Sequence, residues 1–432
     1  MKHALIALLA TAATCAPAIA QTVAVTGGTL AIGDGSAPIE NGTVVFRDGR
    51  IVAAGASVVI PADATRIDAR GKWIAAGIIS GPTDLGLVDV GGVEESNDSA
   101  SDASPFNAAI DISTAINPHS VRIDDERVAG VTRAMTAPSP SASIFAGQGA
   151  VIDLGTDPDP VMRPRAFQYV QFGENGRKAG GGSRPAAYLA FRDTLAQVKD
   201  YRRSPAAFLA QGKDALLKRS DAEALVAVIE GRTRLLVEVN RASDIRTVLS
   251  LLADYPKLRM VLVGASEGWM VAREIAAAGV PVITPGSEDL PSAFETMAST
   301  TSNAARLDAA GVVVALTAGG SISGEHVVRQ NAGNLVGIAS VPGRQGLSWG
   351  KAFAAITSRP AQVLGLEAEI GSLQPGRRAD VVIWDGDPLE LSSAPQAVWI
   401  DGVAQPMQSH QTLLRDRFLA PETGVLPRAY KH

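Results

Sequence analysis

"GSLQPGRRADVVIWDGDPL", residues 371–389, is the stretch whose reading decides the fold. It follows a helical pattern over 347–364 and turns to the apolar run Val381 to Trp384, closed by Asp385-Gly386. A second Asp-Gly pair at 401–402 ends "AVWIDGV". The opposite end of the chain has the same chemistry in "TVAVTGGTLAI", "GTVVFRDGRIVAAG" and "TRIDARGKW". Asp48-Gly49 there is a hairpin signal, because glycine takes the positive φ that a tight turn needs. The economical reading is that residues 21–72 and 371–408 build one β-domain from both ends of the chain.

Between them the pattern changes. Apolar runs of strand length, "WIAAGIIS", "VTRAMTA", "RLLVEVN", "LRMVLVG", "VPVIT" and "GVVVALT", alternate with helical periodicity over 205–218, 241–255, 267–278, 292–310 and 347–364. Such alternation predicts parallel βαβ units, and strands this apolar are buried on both faces, as in a barrel. Residues 73–370 are therefore expected to form an α/β barrel, and 409–432 a C-terminal helix and tail. Three segments read as loops: 91–104, 175–185 and 317–325. The first is acidic, follows the first barrel strand, and would lie over the C-terminal face, where barrel sites occur.

Composition bounds the partners. "MKHALIALLATAATCAPAIA", residues 1–20, has the basic start, short apolar run and small-residue end of a secretory signal, so cleavage between Ala20 and Gln21 and export, to the periplasm, are expected. Its apolar run is shorter than the ~20 residues that cross a bilayer, and no later stretch reads as a membrane span. The single cysteine, Cys15, lies in this leader, which leaves the mature chain without disulfide or thiol chemistry. A net charge of -5 with no dense Lys/Arg cluster argues against nucleic acid.

The hairpin "GTVVFRDGRIVAAG", the lead-in "IDARGKWIAAGII" and the C-terminal "ITSRPAQVLGLEAEIGSLQPGRRADVVIWDGDPL" closely resemble the amidohydrolase superfamily. "INPHS", "AGVTRAM" and "SIFAGQGAVIDL" further resemble its exported, imidazolonepropionase-like subgroup. The resemblance implies a distorted TIM (β/α)8 barrel and a small β-sandwich built from both chain ends. It also implies metal-dependent hydrolysis of C–N bonds, with one or two divalent metals, often zinc, activating water.

Members carry Gly-x-Ile-Asp-x-His-x-His at the end of the first strand, where two imidazoles two residues apart face one side. The matching residues here run from Gly77 to Asp84, and Pro82 and Asp84 stand at the histidine positions. Proline has no donor atom, and aspartate is a hard oxygen ligand. Later ligand positions fall near Glu238 or Asn240, near Val263 or Gly264, and near Ala318 or Gly319. The histidine census agrees: His3, His119, His326, His410 and His432 are the five in the chain, and no two lie at ligand spacing. A zinc site of the family's kind is not expected.

Three residues remain as catalytic candidates. His326, after the last strand, reads as a base or ligand, or as a surface histidine at a helix start. Asp84 and Glu238 would meet at the barrel mouth and favour Mg, Ca or Mn if they rebuilt a metal site. Alternatively, each is held by an arginine such as Arg133 or Arg241. Ser323 near His326 is a weak nucleophile candidate, since no Gly-x-Ser-x-Gly elbow surrounds it. His119 reads as a turn residue.

The sequence thus favours a member that has lost metal-dependent catalysis and acts as a ligand-binding protein, or as a partner subunit of a homologous hydrolase. The alternative is an active hydrolase on amide, lactam or ester bonds through Asp84, Glu238 or His326. No cofactor is expected, with zinc or another divalent metal entering only if the site is rebuilt. The expected ligand is a small or peptide-like molecule, and a homo-oligomer or a homologous amidohydrolase is the expected partner.

Overall fold

A computed structural model describes residues 22–419 except 142, 211–216 and 320–323. The expected leader with Cys15, the end of the C-terminal tail and Ser323 lie outside the described residues.

Both ends of the chain enter one sheet. Its N-terminal strands are β1 (Val23–Ala31), β2 (Ile39–Arg47), β3 (Arg50–Gly55), β4 (Thr65–Asp68) and β5 (Trp73–Ala76). After β5 the chain enters the barrel through β6 (Ile78–Thr83), β7 (Val131–Thr136), β8 (Phe145–Asp153), β9 (Val161–Gln171), β10 (Arg234–Val239), β11 (Met260–Gly264), β12 (Val282–Pro285) and β13 (Val314–Thr317). It returns through β14 (Val381–Trp384), β15 (Pro395–Ile400) and β16 (Val403–Ala404).

The terminal sheet runs β16-β15-β14-β5-β1-β2-β3, with β4 also paired to β1. Asp48 and Gly49 have φ of 51° and 73°, the left-handed pair that a tight hairpin between β2 and β3 requires. β4 and β5 share one edge of β1, pairing at Val23–Thr26 and Thr29–Ala31. Between them the crossing chain passes so close that a Cβ on Gly28 would lie 2.9 Å from Lys72 O.

The stretch "WIAAGIIS" is two strands rather than one. Trp73–Ala76 pairs with β1 and β14, and Ile78 begins the barrel. Gly77 between them leaves room for the Thr132 side chain, which a Cβ would meet at 2.1 Å.

The barrel sheet runs in sequence order from β6 to β13. β8 is antiparallel to β7 and β9, so the expected βαβ alternation fails here and the strands follow one another as hairpins. Closure between β13 and β6 is made by Ala355 and Ile356, whose carbonyls accept from Leu316 N and Ile79 N, both at 2.9 Å. Ile79, Met135, Val151, Phe167, Leu236, Val261, Ile283 and Ala315, one from each strand, join a single buried cluster. The barrel is a packed core rather than a pore.

Arg133 on β7 fastens the barrel to the β-domain. Fully buried, it donates from Nε and Nη2 to Asp380, both at 2.8 Å, and from Nη2 to Asp401 at 2.7 Å. Asp153 lies 3.6 Å from its Nη1.

Candidate functional site

The C-terminal ends of β6, β7 and β9 and the loop after β13 surround a cleft of about 820 Å³. Pro82, Thr83 and Asp84 form one wall, Val121 and Arg122 another, with Tyr169 on the β9 side and Gly324 and Glu325 opposite. Gly91 of the acidic loop also lines it. That loop is held at its middle: Asp98 N donates to Leu87 O at 2.9 Å and Ser139 N to Ser99 O at 2.7 Å.

Each position that sequence reasoning singled out is occupied by something other than a free donor. Pro82 contributes a ring to the cleft wall. Asp84 Oδ1 is 2.8 Å from Arg122 Nη2, an ion pair with an arginine other than the two expected. Glu238 Oε2 accepts from the Tyr169 hydroxyl at 2.9 Å, and Gln171 Nε2 lies 3.2 Å from both carboxylate oxygens. Burial, opposed by these donors, pushes the Glu238 carboxyl above its ordinary range. Arg241 pairs with Asp244 at 2.6 Å, and Arg133 is committed to the β-domain, so neither meets Asp84 or Glu238 in an ion pair among the described residues.

Asn240 donates from Nδ2 to Glu295 Oε1 at 3.1 Å and accepts from Ser266 Oγ at 3.1 Å. Gly264, beside it on the next strand, has φ of 84°, and a Cβ there would lie 2.3 Å from Asn240 Oδ1. Ala318 follows β13 and has no donor atom.

His326 sits at the start of the helix Val327–Gly337. Its Nδ1 is 3.2 Å from each oxygen of Glu126, whose Oε2 also accepts from His326 N at 2.7 Å and whose Oε1 accepts from Glu325 N at 3.0 Å. Glu126 holds the imidazole pKa above its ordinary value and ties off the approach to the helix. His119 is exposed in a turn with Asn117, and His410 opens the exposed C-terminal helix His410–Leu419.

A catalytic zinc needs three protein donors converging with an open position for water. The donors here do not fit that demand. Proline, glycine and alanine stand at three of the positions where the resemblance implies ligands, while Asp84, Glu238 and Asn240 are engaged by Arg122, Tyr169 with Gln171, and Glu295 with Ser266. Among the described residues, no three His, Cys, Asp or Glu side chains come together as a metal would require.

Several residues of the cleft escaped sequence reasoning. Glu325, the last residue of the loop expected over 317–325, is buried and accepts from Ser80 Oγ at 2.6 Å. Tyr169 lies on β9, which no run of the apolar pattern marked. Arg122 and Glu126 share the helix Val121–Val128, whose charge gave no spacing signal.

This frame of strands has known counterparts. The amidohydrolase family model matches residues 295–404. The amidohydrolase tasK of Hapsidospora irregularis is 23% identical over 389 residues, 80% of this chain and 38% of that protein. This chain therefore spans about two fifths of the length of the curated relative it matches. Among solved structures, an amidohydrolase from Thermotoga maritima MSB8 superposes with a TM-score of 0.78 over 88% of this chain and 99% of that one, at 23% identity. Molinate hydrolase follows at a TM-score of 0.54 and 16% identity, covering 96% of this chain and 99% of that one. The chain is thus similar to amidohydrolases, through the family model over residues 295–404 and through its fold. That fold is a barrel with an added β-domain from the two chain ends.

Proposed function

We propose that this chain is an exported amidohydrolase-fold protein that binds a small or peptide-like ligand in the cleft at its barrel mouth, without metal-dependent hydrolysis. One observation carries the reading: every donor-bearing side chain left at the family's ligand positions is consumed by a protein partner, Asp84 by Arg122, Glu238 by Tyr169 and Gln171, and Asn240 by Glu295. A fold alone does not specify chemistry, so the site residues govern the reading. Ligand binding requires only the concave surface and its few polar groups, and these remain.

A partner role finds separate support. The segment of the Hapsidospora irregularis relative that matches this chain is 38% of that protein, so there the homologous unit is joined to further chain. Among the described residues no helix is long and apolar enough to cross a membrane.

Native mass spectrometry of the mature protein tests the ligand reading. A small molecule retained by the wild type and lost when Tyr169 and Arg122 are replaced by alanine is the expected outcome. Retention independent of both cleft residues would contradict it. Light scattering over a concentration series tests self-association separately.

A further inference from the structure

Among the carboxyl groups of the cleft wall, Glu325 is the buried one. It is 6% exposed, whereas the Asp84 side chain is 39% exposed and Asp89 is half-buried. Ser80, fully buried on β6, donates to its Oε2 at 2.6 Å. This hydroxyl thus uses its hydrogen on Glu325. A proton carried by the carboxyl must find an acceptor elsewhere, and the side on which Glu325 lines open space is the cleft.

The charges around it favour that proton. Arg122, a cation of the cleft lining, is taken by Asp84, and the His326 ring is taken by Glu126. Among the described residues Glu325 forms no ion pair. Burial holds its carboxyl above the usual range against the Ser80 and Thr83 hydroxyls, which pull it down, and the like charges of Glu126 and Asp84 add to the rise. The facing groups are thus Glu126 and His326 at the helix ends, Asp84 with Arg122 across the wall, and Asp89 farther along it.

We propose that Glu325 is the hydrogen-bond donor through which the cleft recognises its ligand, and that the ligand offers it an uncharged acceptor such as a carbonyl oxygen. An anionic acceptor is disfavoured by Asp84 and Asp89 in the same lining. Val88, Val121, Pro138 and Pro140 supply apolar contact for the rest of the molecule. This inference rests on the ligand-binding reading above.

The test uses the mature full-length protein and one neutral probe, N-acetyl-valine amide, with binding read by ligand-observed NMR between pH 5 and pH 8. Wild type is expected to bind and to weaken as pH rises through the ionisation of Glu325, because the donated hydrogen leaves with the proton. Glu325→Gln keeps a donor on the same frame and should bind with no such pH dependence. Glu325→Ala should lose about tenfold in affinity, the size of one net hydrogen bond. Wild-type binding that is matched by Glu325→Ala, or that strengthens as Glu325 ionises, would overturn the inference and leave the ligand reading standing. No binding by the wild type would overturn the ligand reading itself, and the inference with it.

Discussion

The amide of Asn240 fills the space beside Gly264, so that a Cβ on the glycine would lie 2.3 Å from Asn240 Oδ1. These are the ends of adjacent strands, two positions at which the resemblance led one to expect histidine. They are now fitted to each other. The same amide is anchored to Glu295 and Ser266, and the Ser266 hydroxyl shares its one hydrogen with Glu288 Oε2 at 2.8 Å. A side chain at 264 displaces not one group but a chain of hydrogen bonds linking the loops after β11 and β12.

Gly264→Ala is therefore expected to cost about 1–3 kcal/mol, from the left-handed backbone and from overpacking together. In an Asn240→Ala background the overpacking disappears and the cost should shrink. Urea melts of the two single variants and the double variant measure the coupling, and strictly additive losses would argue against a fitted pair.

Arg133 faces three aspartates from a fully buried position. Its removal leaves their carboxylates without a cation at the seam between barrel and β-domain. Arg133→Met should destabilise by about 3–5 kcal/mol, as breaking a buried pair generally does. Chemical denaturation reads this directly, and a loss under about 1 kcal/mol would mean that water reaches the seam and screens it.

Asp153 gives the fold a pH dependence. Desolvation, opposed by Arg133, raises its carboxyl from 3.8 to about 6. A raised acid pKa favours the folded state fully below about pH 4, and that contribution is lost as pH climbs through about 6. Asp153→Asn removes the titration, so the stability of the wild type relative to the variant should fall between pH 4 and pH 7. Denaturation midpoints across that range check it, and a constant difference would deny the raised pKa.

The Asp84–Arg122 pair is half-exposed, and its contribution to stability is correspondingly small. Asp84→Asn should cost no more than about 1 kcal/mol. It should also leave the melting temperature equally indifferent to added zinc, manganese or magnesium. A metal-induced rise in wild type that the variant loses would mark Asp84 as a ligand.

Much of the architecture was legible because it rests on local chemistry. The Asp48-Gly49 turn and the return of β-branched runs after Gly371 announced that the two chain ends share a sheet, and β5 pairing with β14 is that meeting. β8 and β9 were not legible as strands. Gly147 and Gly149 interrupt the apolar pattern of β8, and each is there for close approach: a Cβ would lie 2.8 Å from Ile110 O at the first and 2.2 Å from the Phe167 ring at the second. β9 carries Arg163 and Arg165 in its exposed first half, so its buried half, from Phe167, is too short to stand out.

Of the candidate site, the residue types at the positions where the resemblance implies ligands were legible: proline, glycine and alanine have no side-chain donor, and that can be read without a structure. The partners of the remaining donors cannot be read so, because Arg122, Tyr169 and Glu126 approach from elements distant in sequence.

The most direct test of the central claim is the metal content of residues 21–432, purified from metal-replete medium and measured by inductively coupled plasma mass spectrometry. The account predicts zinc, manganese and nickel all far below one equivalent per chain, and a melting temperature unmoved by EDTA. Near-stoichiometric metal that EDTA removes with a loss of stability would contradict it.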